Sequence, residues 1–432
     1  VQELYNCIQL YKKSFLWLLA IVLGGILGGF IGASLLCAPL LFVKNKVLQI
    51  ETLLLVFLII FIFGDNYKNV LSFAQNSRFV ILGISLLILF RYNLLQSIEA
   101  IYILPFSIIA TFITYFNSNF GMEAVLRGVS YFLVALVVFK ITFLLIDYNA
   151  KRFYNLLVTI LSIYFALNLF VFFVPFIGEI YIKGRFMGLM ANPNGLAMVS
   201  LISYGIIDVI KKIELSSFKG RYLTIFKLGL LILIVLSGSR TAIFSLLIYE
   251  IIIRLLKYRL LLFVVLLLII YIYGISASLN INSVIDSLGL SSFLRTESLE
   301  DASGRTEVWA VAVEEIKNQP WLGKGMLYDS YFINSYADRF IGEVRARHWS
   351  GIWNSYLSLL LNVGVIGLLA FSFFWYKMFA LSQMKIVRFA FLLLCLFSAI
   401  SESWMAASMN AFMPLVFLCW GLQINQTKSI SV

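Results

Sequence analysis

The chain has 432 residues, of which 62% are hydrophobic and only 12% charged, and its mean hydropathy is +0.97. A soluble domain is roughly one-quarter charged, so this composition excludes a soluble globular protein and indicates a polytopic membrane protein. The net charge of +12 is what a positive bias in cytoplasmic loops produces, with a remainder available on the other face for an anionic ligand, and no nucleic-acid partner is expected.

Six prolines leave most of the apolar runs free to be helical, whereas a membrane β-barrel would show short alternating segments. The fold class expected is therefore all-α, a bundle of about 12–14 transmembrane helices. Lys12 and Lys13 precede the first run as they would in a signal peptide, but the run continues through Leu41 without a small-residue cleavage site and reads as retained. Residues 14–43 are too long for one helix and carry Gly24-Gly25 and Gly28-Gly29 in the middle, which predicts a tight hairpin of two short helices. Further crossings are predicted at 47–64, 79–92, 97–116, 124–146, 153–174, 191–210, 222–236, 241–254, 260–278, 352–376, 389–403 and 405–422. Residues 1–180 form an N-terminal set of helices, and residues 181–425 a second region that contains one large loop at 279–351. Cys7, Cys37, Cys395 and Cys419 lie in or beside apolar runs, so neither a disulfide framework nor a cysteine metal site is expected.

The loop is the one long polar segment. Within it Val308, Trp309, Ala312, Val313 and Ile316 recur at helical spacing, with Glu307, Glu314, Glu315 and Lys317 opposite. That pattern predicts an amphipathic helix begun near Ser303 and stopped by Pro320. Lys44 and Lys46, Lys151 and Arg152, Lys211 and Lys212, Arg254 and Lys257, and Lys385 and Arg388 fall on one side when the helices alternate. Both termini are then cytoplasmic, and the large loop lies outside with the 175–190 segment and the turn Ser237-Gly238-Ser239-Arg240.

No phosphate-binding glycine loop, dinucleotide fingerprint or acidic metal motif occurs, and one histidine cannot supply a histidine-cluster site, so no metal and no cofactor are expected. Arg185, Arg240 and Arg305 come from three separate outer segments, each flanked by glycine or serine. Guanidinium groups suit bidentate phosphate recognition, and the three together point to a shared diphosphate site. The plainer reading is that each anchors a helix end at the interface. Arg240 is the exception, because a charge in an almost loopless turn is unfavourable unless it is paired or faces a wet cavity. His348 is the candidate general base, kept neutral by Arg345 and Arg347, with Asp329, Asp338 and Glu343 as substitutes. Asn192-Pro193-Asn194-Gly195 predicts a turn in which Asn194 or a neighbour caps the following helix.

Four stretches in order carry a resemblance. They are Gly184-Arg185-Phe186 with Asn192-Pro193-Asn194; Ser237-Gly238-Ser239-Arg240-Thr241-Ala242; Gly304-Arg305-Thr306 through Trp309 to Pro320-Trp321-Leu322-Gly323-Lys324-Gly325; and His348 followed by Asn354-Ser355-Tyr356-Leu357 and Gly364-Val365-Ile366-Gly367. Together they resemble the O-antigen ligase and O-antigen polymerase superfamily of bacterial envelope polysaccharide assembly. The resemblance implies an inner-membrane glycosyltransferase acting on the periplasmic face. Its donor is a glycan on undecaprenyl diphosphate, attacked with inversion and without metal. Carried over to this chain, it puts Arg240, Arg305 and Arg185 on the diphosphate and His348 as base, with Arg305 also assisting catalysis. Arg345, Arg347, Asn194, Asn354 and Tyr356 are further substrate contacts. Trp353 stands where ligases of this family carry histidine, which favours the polymerase branch. A lipid-linked repeat unit is then the acceptor, with membrane lipid and a chain-length regulator protein as partners. A ligase acting on lipid A–core is the alternative. A flippase is the rival from another class, and it would show internal repeats and a midplane site that this sequence lacks.

Overall fold

A computed structural model describes residues 2–66, 70–93, 98–117, 120–174, 179–255, 258, 305–339 and 351–425. The predicted crossing at 260–278 therefore lies outside the described residues. The remainder is an all-α bundle, and the described strands are one two-residue pair. Among the described residues, six stretches are long and apolar enough to cross a membrane: Lys12–Phe42, Lys46–Phe63, Glu99–Asn117, Gly121–Phe173, Gly220–Ser237 and Ser355–Leu381.

The first long run folds as predicted. After α1 (Gln2–Leu10), helix α2 (Lys12–Cys37) is interrupted at Gly29, whose φ of 63° reverses the chain. The halves come back so closely that a Cβ on Gly32 would strike the carbonyl of Gly24. The helices α3 (Lys46–Phe63), α4 (Ala74–Phe90), α5 (Ile98–Ile101) and α6 (Leu104–Asn117) follow. Helix α7 (Gly121–Phe173) contains two predicted crossings joined at Asn149, whose side chain accepts a hydrogen bond from the Arg152 N–H at 2.9 Å and so caps the second half. Next come α8 (Pro193–Ile213), α9 (Gly220–Ser237) and α10 (Arg240–Leu255). In the large loop, α11 (Arg305–Asn318) is the predicted amphipathic helix, and α12 (Tyr328–Arg339) was not foreseen. The chain ends with α13 (Ser355–Leu381), α14 (Lys385–Ser398) and α15 (Phe412–Ile424).

Helices α3, α8 and α15 are buried on nearly all sides, as fits elements apolar all round at the centre of a bundle. Helices α2, α9 and α10 instead expose Leu16, Leu19, Leu27, Ile225, Leu228, Ile232 and Phe244, a surface suited to lipid. At one end, Arg152 pairs with Glu51, Arg91 donates to the Leu41 carbonyl at 2.8 Å, and Tyr11 donates to the Arg152 carbonyl at 2.6 Å. The basic short loops gather there. The opposite end holds the 179–190 and 237–240 segments, the described part of the large loop and the 399–411 connection.

Two predicted crossings need correction. The run at 352–376 breaks at Gly364, with φ of 61°. Residues before the break stay at the site end, and those after it reach the other end, where Lys377 lies over the Tyr102 ring. The break receives residues 320–325. Lys324 and Gly325 N–H groups donate to the Leu361 and Asn362 carbonyls at 2.9 and 2.8 Å, and Val365 and Ile366 donate back to Pro320 and Trp321 at 2.9 and 3.1 Å. A Cβ on Gly323 would sit 2.7 Å from the Leu361 carbonyl, so only glycine permits this approach. The second correction concerns 405–422, where helix begins only at Phe412 and Trp404–Ala406 is a short 3₁₀ turn. The connection so lengthened carries Glu402.

Candidate active site

Residues 179–190 turn back on themselves in a minimal hairpin, β1 (Tyr181–Ile182) and β2 (Arg185–Phe186). Lys183 and Gly184 both have positive φ, the geometry of a tight two-residue hairpin turn. Successive side chains alternate, so Phe186 enters the core while Arg185 faces the other way. Its Nε donates to the Ser237 carbonyl at 2.8 Å, at the C-terminus of α9, where the helix dipole favours a cation. Gly238, with φ of 58°, ends that helix beneath the guanidinium.

Arg185 also donates to the Asn194 side-chain oxygen. The cap of α8 is Asn192, whose side chain accepts from the Gly195 N–H at 2.7 Å, and this leaves Asn194 available for other partners. Its amide donates to Glu402 Oε1 at 2.7 Å. Arg305, at the head of α11, approaches the same oxygen at 3.5 Å and donates to the Ser401 carbonyl at 2.6 Å, with Trp353 beside it at 5.9 Å. The fold thus brings Arg185, Asn194 and Arg305 to one carboxylate. Arg240 begins α10, half-buried, next to Thr241, whose hydroxyl meets that of Ser401.

Glu402 is 7% exposed and stands in the 399–411 connection, whose shape is fixed from below. Ser355 donates its hydroxyl to the Glu402 carbonyl at 2.6 Å and its N–H to the Ala399 carbonyl at 2.9 Å. Burial pushes the Glu402 carboxyl up to about 7, against the pull of Arg305, Arg185 and Asn194. Beside it lies a cavity of about 300 Å³ lined by Asp65, Arg78, Asn192, Asn194, Trp353 and Glu402 among others. Arg78 pairs with Asp65 at 3.4 Å, and its Nε has no hydrogen-bond partner among the described residues. Asp65 Oδ2 accepts from the Ala411 N–H at 3.1 Å, and burial raises this carboxyl to about 6.

The other candidates are placed differently. Asn354 caps α13, accepting from the N–H groups of Tyr356 and Leu357 at 3.0 and 3.1 Å. Tyr356 turns into the bundle and donates to the Leu396 carbonyl at 2.7 Å. Asp329 is held where its N–H meets Asn362 Oδ1 at 2.9 Å, and burial raises its carboxyl. Arg345, Arg347, His348 and Glu343 lie outside the described residues, and so does the side chain of Asp338. Helix α11 packs Val308 and Ala312 against Phe332, Ile333, Ile352 and Leu361, and the Trp309 indole donates to the Ile352 carbonyl at 2.8 Å. It rests on the bundle and presents Arg305 to it.

Glu402, Asp65 and Arg78 were missed in the sequence. Glu402 offered the signal that singled out Arg240, a charge between two apolar runs with almost no loop.

The arrangement suits a bulky anion, because guanidinium groups converge where water is scarce. An O-antigen ligase family model matches residues 225–372. The match bears out the resemblance to the O-antigen ligase and polymerase superfamily, and it covers Arg240 and Arg305. It leaves Arg185, Asn194 and Glu402 outside its bounds, and the fold joins them to the matched segment. The family description does not separate ligase from polymerase. No curated protein matches the chain.

Proposed function

We propose, taking the O-antigen ligase match at residues 225–372 as the premise, that this multi-pass membrane protein is a polysaccharide repeat-unit polymerase. The donor is a glycan on undecaprenyl diphosphate, and the acceptor is the non-reducing end of another lipid-linked repeat unit. The observation that carries this reading is the convergence of Arg185 and Arg305 on a single buried carboxylate beside a cavity. The basic short loops lie at the opposite end, which supports a site on the periplasmic face of the inner membrane and cytoplasmic termini.

The chemistry follows from charge. An acceptor hydroxyl loses its proton to a base, for which His348 is the proposed group. Its oxygen then attacks the anomeric carbon from the face opposite the leaving group. The carbon–oxygen bond to the diphosphate breaks, the linkage inverts, and negative charge grows on the departing phosphate. Arg305 and Arg185, with Arg240 beside them, stabilise that charge in a site already oriented for it. Asn194 holds Arg185 in place. Arg345 and Arg347 belong to the acceptor side of this reading, while the helix-building bonds of Asn354 and Tyr356 limit them to shaping the wall. A chain-length regulator protein is the expected partner in the membrane.

Purified protein supplied with lipid-linked repeat units should build ladders of longer chains, and Arg305→Ala should lower kcat/KM by about 100- to 1,000-fold. Unchanged ladders from that variant would sink the mechanism. The second reading is a ligase that moves the glycan to lipid A–core, the activity that the matched family's description names. Gene deletion separates the two. Loss of a polymerase leaves one repeat unit on lipid A–core, and loss of a ligase strands long chains on the lipid carrier.

A further inference from the structure

The cavity beside Glu402 has two walls, and the proposed mechanism uses only one of them. Asn194 and Glu402 belong to the arginine side. The other side comes from the residue after the C-cap of α3 and the first two turns of α4, with Asp65, Gln75 and Arg78. Charge on this second wall is incompletely satisfied. Arg78 Nη1 reaches Asp65 Oδ1 only at 3.4 Å, beyond the roughly 2.7–2.9 Å of a well-made charged hydrogen bond. Arg78 Nε has no hydrogen-bond partner among the described residues, although the side chain is only 15% exposed. Gly64 makes room for this arginine, because a Cβ there would come within 3.2 Å of Arg78 Cδ. Arg127 on α7 adds like charge to its surroundings and no acceptor. Asp65 is held in place by the Ala411 N–H, which reaches its Oδ2 at 3.1 Å. A buried donor left open is unfavourable, and a ligand oxygen removes that cost.

Trp353 lines the same cavity. Its φ of 53° lies in the left-handed region, which a bulky side chain seldom adopts. The conformation is fixed from both sides, by the Trp309 bond to the Ile352 carbonyl and by the Asn354 cap of α13. Strain of this kind persists where it aims a side chain, and here it sets a half-buried indole in the cavity lining. An aromatic face beside a carboxylate and a forked donor is the chemistry that recognises a pyranose. The sugar offers C–H groups on a ring face and hydroxyls at its edge that both donate and accept. A further phosphate fits this wall poorly, since Asp65 would repel it, and a polyprenyl tail would leave the ion pair unsatisfied.

We propose that Asp65, Arg78 and Trp353 form a pocket for the first sugar of the donor, the ring whose anomeric carbon carries the diphosphate. This rests on the diphosphate reading given above. A ring tethered to a diphosphate at Arg185 and Arg305 is delivered to the cavity that adjoins them. At about 300 Å³ the cavity is at the small end of ligand pockets, with room for one ring and not for an oligosaccharide. Later sugars of the unit lie outside it. Trp353 takes a ring face, Arg78 Nε donates to a hydroxyl oxygen, and Asp65 accepts from a neighbouring hydroxyl. A sugar that lacks or inverts that hydroxyl leaves buried charged groups unpaired. This wall therefore selects among donors, whereas the arginine wall holds the diphosphate common to all of them.

The test measures binding of two kinds of probe to the full-length protein in nanodiscs. One is undecaprenyl diphosphate alone, and the other is the same lipid bearing a single glucose, galactose, N-acetylglucosamine or N-acetylgalactosamine. Wild type should favour one of the four sugared probes over the others by about tenfold or more. For that probe, Asp65→Asn and Arg78→Gln should each raise Kd by about 10- to 100-fold, while Kd for the bare lipid diphosphate stays within about threefold. Arg78→Lys keeps the charge that pairs with Asp65, and so the fold, but lacks the Nε donor, and it should show the same selective loss. Trp353→Ala should lose about tenfold more on the sugared probe than on the bare lipid. Arg305→Ala should weaken every probe. Equal losses on bare and sugared lipid in Arg78→Lys, or no loss on either, would overturn the sugar pocket and leave the diphosphate reading intact. So would a wild type that binds the bare lipid diphosphate and treats the four sugared probes alike or rejects them all. A wild type that binds neither kind of probe would overturn both.

Discussion

Two clusters of buried charge sit at different depths of this bundle, and they are built on opposite plans. In the deeper one, Lys227 of α9 lies 2.8 Å from Asp208 of α8 and 3.5 Å from Glu250 of α10. Tyr249 donates to the second Asp208 oxygen at 3.0 Å, Tyr204 donates to Glu250, and Arg254 takes the remaining Glu250 oxygen at 2.9 Å. Every carboxylate oxygen there has a donor from the protein, and the Tyr204 ring lies 4.1 Å from the ammonium. At the site end both contacts of Glu402 fall on one oxygen, and a cavity adjoins it. A sealed cluster ties helices α8, α9 and α10 together. An incompletely satisfied one can exchange its partner for a ligand. Buried charge marks a binding site only where satisfaction is left unfinished.

The sharpest way to break this comparison is to remove one partner from the sealed cluster. Lys227→Ala leaves Asp208 and Glu250 facing each other without their shared cation, and should cost about 3–5 kcal/mol, read as a fall in thermal stability in detergent. Arg305→Ala, which is severe for activity, should cost only about 1 kcal/mol of stability, because Glu402 keeps its bond from Asn194 and can neutralise itself by taking a proton. Equal destabilisation by the two variants would erase the distinction. A third measurement uses pH. Burial holds the Glu402 carboxyl above its ordinary value near 4.5, so the folded state binds the extra proton, and this contribution to stability is lost as pH rises from about 4.5 to about 7. Glu402→Gln should therefore be more stable than wild type above pH 7, by about 1–3 kcal/mol, with the gap closing towards pH 5. The smallest effect is expected from Asp208→Asn combined with Lys227→Met. Removing both charges together should shift stability by about 1 kcal/mol or less, since the desolvation of the pair disappears along with its attraction.

How much of this could be read from the residues depended on distance along the chain. Local signals served well. The glycine pairs near position 29 placed the hairpin in α2, the periodicity from Val308 to Ile316 placed α11, and the Asn-Pro-Asn-Gly run marked the turn that opens α8, though its cap is Asn192, two residues before Asn194. The arginines were visible because a charge stands out in hydrocarbon. Glu402 was equally visible but went unread, because Ile400 to Trp404 sits between two apolar runs that hydropathy joins almost end to end. Its importance comes from Asn194, more than two hundred positions earlier, and no periodicity connects them. The same limit hid the partnership of Pro320–Gly325 with the broken α13. Each motif reads alone as a turn with glycines, and only the fold shows that one is the seat of the other.

That seat has a consequence for what the enzyme can accept. The bonds joining residues 320–325 to 361–366 are made wholly by main-chain atoms, so apart from the glycines they are indifferent to the side chains present. The platform that aims Arg305 is thus uncoupled from the outward face of α11. Residues on the outward face of α11, such as Glu314 and Lys317, can be exchanged while the guanidinium keeps its bearing. In engineering terms the loop is a tool holder, and its jaws grip the shank without regard to the bit.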